Sequence, residues 1–253
     1  MRRVAGTSVS MAWRRSVRCG SRPIRCARFS RSNRPFLIMP LEHRQLHPLM
    51  CLTQDGLAET HLEQATRLLI AGARWIQVRM KRGTPQERLT MAGMIAPLCR
   101  QYGAICIVND SVDIAIAVNA HGVHLGKTDG LWSAARKEMG REMIIGGTIN
   151  NEADARRAIR ANCLDYVGIG PWRFTTTKEN LSPVLGPTGV ATLVAQLDGI
   201  PVWAIGGITA ADLPEVRASG AVGAAVTSAL YRDGRVQDNF HELNAAWKQA
   251  MKT

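Results

Sequence analysis

At 253 residues, 46% hydrophobic but only 5% aromatic, the chain can bury one sizeable core, and an aliphatic interior of helices packed on a sheet is expected. A formal charge of +12 suggests nucleic acid, but ten arginines and no acidic residue fall in residues 1–40, leaving 22 basic against 20 acidic residues beyond them. That near-neutral body has no interleaved basic and aromatic pattern for stacking bases, and no apolar run reaches the ~20 residues that cross a bilayer, so neither a nucleic-acid nor a membrane partner is expected.

Residues 1–45 are rich in Arg and Ser and almost free of acid. They read as a disordered extension outside the fold: a start of translation placed too early, with Met39 or Met50 as the true one, or a transit-like targeting segment. The six cysteines (Cys19, Cys26, Cys51, Cys99, Cys106 and Cys163) form no CxxC and no Cys/His metal spacing, which fits free thiols in a reducing compartment. A cytoplasmic protein is expected, with organellar import as the alternative.

From about residue 48 short apolar runs recur: LMCLT (49–53), WIQVRM (75–80), AICIVND (104–110), GVHLG (122–126), MIIGGT (143–148), YVGIG (166–170), VWAIGG (202–207) and AAVTSA (224–229). Between them lie stretches with helical spacing, such as HLEQATRLLIAGA (61–73), ADARRAIRANCL (153–164) and ADLPEVRASGA (211–221). Eight strands alternating with helices predict parallel pairing through right-handed crossovers, hence a single α/β domain, a (β/α)8 TIM barrel over residues 46–253. A doubly wound open sheet is the alternative, but no Gly-x-Gly-x-x-Gly or Walker loop follows the first strand.

In such a barrel the chemistry sits at the C-terminal ends of the strands. The second strand carries Gln77, Arg79 and Lys81 at alternate positions, so all three share one side. Inward-facing cations need anionic company, which suggests an anion site rather than a solvated edge strand. The third strand ends in Asn109-Asp110, and Asp129 follows the fourth. Each carboxylate could cap the next helix. Beside Arg79 and Lys81, a magnesium–polyphosphate site is the better reading. Gly146-Gly147-Thr148, Gly168 with Gly170-Pro171, Gly206-Gly207 and Thr227-Ser228 end the remaining strands, where glycine lets a ligand approach the backbone. The last two strands are the usual phosphate cradle of a barrel. The run Thr175, Thr176, Thr177 and Lys178 after the sixth strand would lie between the two anion sites. His61, His121 and His124 are expected to serve packing or backbone hydrogen bonds, and no activated nucleophile is evident.

These stretches together resemble the thiamine-phosphate synthase family over residues 48–250: QVRMK (77–81), ND (109–110), HLGKTD (124–129), GGT (146–148), GPWRFTTTK (170–178), AIGGI (204–208) and VTSAL (226–230). The resemblance implies a (β/α)8 transferase of thiamine biosynthesis that joins a pyrimidinylmethyl diphosphate to a thiazole phosphate and releases pyrophosphate. It implies that Gln77, Val78, Arg79, Met80, Lys81, Asn109, Thr148 and Lys178 hold the pyrimidine diphosphate, with Arg79, Lys81, Thr148 and Lys178 catalytic. Asp110 and Asp129 would hold Mg2+. Thr175, Thr176, Thr177, Gly207, Thr227 and Ser228 would form the thiazole-phosphate site, with Thr176 turned away from the ligand itself. The partners expected are these two small molecules, with homo-oligomer formation open.

The chain departs from the family pattern at Lys127, where Gln is usual, at Thr148, where Ser is usual, and at Phe174, where Pro is usual. Lys127 is expected to add a cation near the metal site. A thiazole tautomerase would carry a histidine just after the fifth strand, where this chain has Ile149-Asn150-Asn151. A non-catalytic phosphate sensor would have little use for the carboxylate pair.

Overall fold

Local signals start the helices. Thr60 and Thr84 each accept a hydrogen bond from the backbone N–H three residues on, while Glu63 and Glu87 reach back to the cap. These capping boxes fix where α1 (His61–Ile70) and α2 (Pro85–Gln101) begin. Pro85 adds a preset φ at the first helical position. The computed structural model describes residues 46–174, 182–197 and 199–252; the Arg-rich extension and Thr175, Thr176, Thr177 and Lys178 lie outside them.

The strands are β1 (Leu49–Leu52), β2 (Trp75–Val78), β3 (Ile105–Asn109), β4 (Gly122–Leu125), β5 (Ile144–Ile149), β6 (Tyr166–Ile169), β7 (Val202–Ile205) and β8 (Gly223–Val226). After α2 the helices are α3 (Val112–Ala117), α4 (Trp132–Met139), α5 (Glu152–Ala161), α6 (Gly186–Gln196), α7 (Leu213–Ala218) and α8 (Val236–Ala250). All neighbouring strands run parallel, and β8 returns to β1 with Met50 opposite Ala225. That last pairing closes the sheet into a (β/α)8 barrel and rules out the open alternative. No helix among the described residues is long and apolar enough to cross a membrane.

The layer between strands and helices is aliphatic as expected, with Leu68, Ile76, Val108, Ile145, Val167 and Val190 all buried. The barrel interior departs from that expectation. Trp75, Tyr166 and Trp203 meet there edge to face, with ring centroids 4.9–5.7 Å apart, a geometry favoured by the ring quadrupoles. Small residues opposite make the room. A Cβ on Gly146 would overlap the Tyr166 ring, and one on Gly223 would overlap the Trp203 indole. Gly146 and Gly147 are therefore packing residues, Gly147 lying against Trp132 and Leu164, rather than points of ligand approach. Trp75, Tyr166 and Trp203 sit at the starts of their strands, and the Trp203 indole N–H donates to the carbonyls of His47 and Pro48. The aromatic plug thus closes the N-terminal end and leaves the C-terminal mouth for function.

Candidate active site

Above the plug the interior turns polar. Gln77, only 2% exposed, donates through Nε2 to Met50 Sδ at 3.4 Å. The Tyr166 phenol, whose pKa burial pushes up, lies 3.0 Å from His124 Nδ1, and His124 Nε2 lies 3.0 Å from Thr148 Oγ1. His124 thus packs its ring against Tyr166 and also bonds two side chains. The chain of contacts leads from the plug to the Thr148 hydroxyl at the mouth. His121 does serve the backbone, accepting from the Cys106 N–H at 3.0 Å.

On the β2–β4 side, the strand alternation holds at the exit of β2. Gln77 faces the interior, while Val78 packs in the outer layer. Met80 shares a small crevice with Arg88, Ala92 and Ile114, so Val78 and Met80 direct their side chains at helices rather than at the mouth. Burial lowers the pKa of the Arg79 guanidinium, and the carboxylates of Asp110 and Asp55 act in the opposite direction. The Lys81 ammonium pairs with the Asp110 carboxylate. Asn109, the last residue of β3, stands in register with His124.

Neither carboxylate caps a helix. The Ser111 hydroxyl, not Asp110, accepts the N–H of Ile114 at the start of α3. The α4 cap is Leu131, which makes no side-chain bond. Asp129 instead accepts from the Gly126 N–H at 2.8 Å. Asp110 has φ 66, a left-handed conformation that an Asp adopts at some cost, and its N–H donates to the His124 carbonyl at 2.8 Å. The result is that Asp110 and Asp129 converge. Burial first, and then the adjacent Asp110 carboxylate, raise the pKa of Asp129. Among the described residues no group of three or more His, Cys, Asp and Glu gathers as a metal cluster. A cation held here would have two protein carboxylates, the number that suits a hard ion completing its shell with water and phosphate oxygens.

Lys127 does not point a cation at this pair. Its ammonium lies 2.8 Å from Asp154 Oδ2, and the same carboxylate accepts from the Asn150 N–H at 3.0 Å. Asn150 Nδ2 in turn donates to the carbonyl of Gly170. Lys127 therefore ties the β4 loop to the ends of β5 and β6.

On the β6–β8 side, the loop leaving β6 lies along β7. Trp172 and Arg173 donate their N–H groups to the carbonyls of Ile205 and Gly206 at 2.8 and 3.0 Å, and the Arg173 guanidinium pairs with Asp212. Gly206 and Gly207 have φ of +109° and +69°, and a Cβ on Gly206 would come within 2.8 Å of Pro171. Glycine is needed there by the loop that crosses them. Ile205 pairs with Ala225, so Gly207 and Thr227, each two residues further on, stand at matching heights. Thr227 is half-buried and Ser228 exposed, and Ser228 opens a short 3-10 turn. The described part of the loop thus reaches Gly207 through Arg173 and the Phe174 carbonyl.

Sequence reasoning missed Thr53 and Asp55 after β1. Both contact His61 and the backbone beyond β2. The polar TQD stretch interrupting an apolar run was the available signal. It also missed the Gln77–Tyr166–His124–Thr148 relation, which only barrel closure creates.

Residues 49–230 match the family model described as thiamine monophosphate synthase. The thiamine-phosphate synthase of Bacteroides fragilis is 45% identical over 186 residues, covering 72% of this chain and 91% of the relative. That of Flavobacterium johnsoniae is 36% identical over 200 residues, covering 78% and 94%. Among solved structures, thiamine phosphate pyrophosphorylase from Pyrococcus furiosus superposes with a TM-score of 0.72 at 32% identity, covering 80% of this chain and 96% of that one. The chain belongs to the thiamine monophosphate synthase family and is a transferase.

Proposed function

We propose that the chain condenses 4-amino-2-methyl-5-(diphosphooxymethyl)pyrimidine with 4-methyl-5-(2-phosphooxyethyl)thiazole, giving thiamine phosphate and pyrophosphate. The observation that carries this reading is the convergence of Asp110 and Asp129, neither of them a helix cap, beside Lys81 and Arg79. Two crowded carboxylates fit a divalent cation, and a basic pair next to them fits the phosphates that share it.

Mg2+ bound there would supply positive charge to the leaving diphosphate. The protein residues do the rest. Arg79 and Lys81 hold the diphosphate oxygens, with Lys178 approaching from the loop after β6. Asn109 and Gln77 orient the pyrimidine ring above the aromatic plug. The Thr148 hydroxyl, steadied by His124, donates to the same substrate. The main-chain N–H groups of Gly207 and Ser228, with the hydroxyls of Thr175, Thr177, Thr227 and Ser228, receive the thiazole phosphate. The C–O bond to the diphosphate breaks, and the thiazole nitrogen captures the resulting pyrimidinylmethyl cation. This needs positioned charge and no protein nucleophile.

The test supplies purified protein with Mg2+ and both substrates and measures pyrophosphate and thiamine phosphate. Equimolar formation of both is expected. A protein that binds the thiazole phosphate but forms no thiamine phosphate above background would reject the synthase reading.

A further inference from the structure

Beneath Arg79 and Lys81 lies a set of buried polar side chains that none of the substrate-binding roles uses. Thr53 is fully buried and His61 is 7% exposed. His61 Nδ1 lies 2.7 Å from Thr53 Oγ1, and His61 Nε2 lies 3.1 Å from Asp55 Oδ1. Thr53 Oγ1 also accepts the Arg79 N–H at 3.0 Å. Asp55 Oδ2 accepts the Lys81 N–H at 2.8 Å and lies 3.4 Å from the Arg82 N–H. The bonds close a ring through the backbone of residues 79–81, with the imidazole bridging the Thr53 hydroxyl and the Asp55 carboxylate.

Through His61 the ring joins the start of α1 to the loop before it, but that junction is already held by other bonds. Thr60 and Glu63 already cap α1. Gln64, fully buried, holds the loop from within, accepting from the Gln54 N–H at 2.8 Å and donating to the carbonyls of Gln54 and Glu59 at 2.9 and 3.0 Å. The remaining bonds of Thr53 and Asp55 run sideways, to the chain just past the end of β2, where ladder hydrogen bonds have stopped. They seize the N–H groups of residues 79 and 81, the two alternate positions whose side chains are cationic.

We propose that Thr53, Asp55 and His61 are positioning residues, a clamp that fixes the Arg79–Arg82 backbone and so aims the Arg79 and Lys81 side chains at the diphosphate. The inference rests on the synthase reading for what those cations contact, while the clamp itself rests on the hydrogen bonds above. Without it, two long cationic side chains would project from a loop free to shift, and small displacements are costly where charge must be held in place.

Thr53→Val keeps the side-chain shape and removes the hydroxyl, whereas Thr53→Ser keeps the hydroxyl. In Thr53→Val, hydrogen exchange at the Arg79 amide is expected to quicken by ~10-fold or more. Magnesium pyrophosphate should bind ~10-fold to ~100-fold more weakly, the scale of losing an outer-shell partner. The KM for the pyrimidine diphosphate should rise in parallel, while the KM for the thiazole phosphate stays put and Thr53→Ser behaves as wild type. His61→Ala should do the same through Asp55, read at the Lys81 amide, and carries the test if Thr53→Val does not fold. Unchanged exchange at both amides would overturn the clamp. Faster exchange with unchanged pyrophosphate binding, or both KM values rising together, would overturn its positioning role. A wild-type protein that makes no thiamine phosphate, but whose Arg79 amide loses protection and whose pyrophosphate affinity falls in Thr53→Val, would reject the synthase reading and support the clamp.

Discussion

The carboxylate of Asp110, just past β3, neighbours that of Asp129, beyond β4, closely enough to perturb it. Burial, and after it the Asp110 carboxylate, raises the pKa of Asp129. A folded-state pKa above the unfolded value means that the folded protein binds this proton more readily. The stabilisation is complete below the unfolded value of about 4 and is lost as pH rises through the folded one. Without metal, ionised Asp129 is then a liability at neutral pH. Asp129→Asn in a chelator should melt above wild type at pH 7, the gap closing as pH falls towards 4, while turnover with Mg2+ drops by ~100-fold or more. A lower melting point for the variant at pH 7 would contradict the crowding of the two carboxylates.

Lys127→Gln restores the residue usual in the family at a position whose ammonium is occupied by Asp154. The pair is partly exposed, so its loss should cost about 0–1 kcal/mol. Gln can still donate to the same carboxylate. Turnover and the Mg2+ requirement are expected to stay within about threefold of wild type, allowing about 0.6 kcal/mol of altered transition-state binding. A large change in Mg2+ requirement would show that Lys127 acts on the metal site despite its bond to Asp154.

Gly146→Ala tests the reading of the barrel interior. The added methyl would overlap the Tyr166 ring, which is fully buried and flanked by Trp75 and Trp203. Overpacking of this kind costs about 1–3 kcal/mol or more. A clear drop in the thermal midpoint is expected, along with a disturbed His124–Thr148 contact, since Tyr166 carries His124. A variant as stable as wild type would mean that the aromatic plug has slack.

What the sequence revealed follows from the range of each signal. Strand and helix positions are local, and the capping pairs Thr60–Glu63 and Thr84–Glu87 mark their own helices. The alternation of Gln77, Arg79 and Lys81 is local too, so their shared side was legible. Closure was not, because the Met50–Ala225 pairing joins residues from opposite ends of the chain. The role of Gly146 was misread for the same reason: its partner is Tyr166 on the neighbouring strand. The direction taken by Lys127 depends on Asp154, placed by α5. The clamp of Thr53, Asp55 and His61 needs β1 beside β2, a relation composition cannot carry.

Thr148 replaces the usual Ser and keeps the hydroxyl that meets His124 Nε2 at 3.0 Å. Thr148→Ser should therefore be close to neutral. Thr148→Val leaves His124 without that partner and removes a donor from the proposed diphosphate end, so turnover should fall by ~10-fold or more, one hydrogen bond to a charged group being worth about 1.5–3 kcal/mol. Equal activity in the Ser and Val variants would remove Thr148 from the site.

Asp110→Ala and Lys178→Ala separate the two proposed sources of positive charge at the diphosphate. Each should lower turnover by ~100-fold or more at ordinary Mg2+, on the scale of losing one electrostatic stabiliser. The causes differ, so the rescue should differ. Asp110→Ala weakens a cation site that still has Asp129, and mass action at high Mg2+ can refill it. Lys178 is itself a positive group, and no Mg2+ concentration replaces an ammonium on the loop. Titrating Mg2+ should recover part of the activity of Asp110→Ala and none of that of Lys178→Ala. Recovery of both would show that added Mg2+ can take over the charge of Lys178, against a separate role for it at the diphosphate, and recovery of neither would remove Asp110 from the metal site.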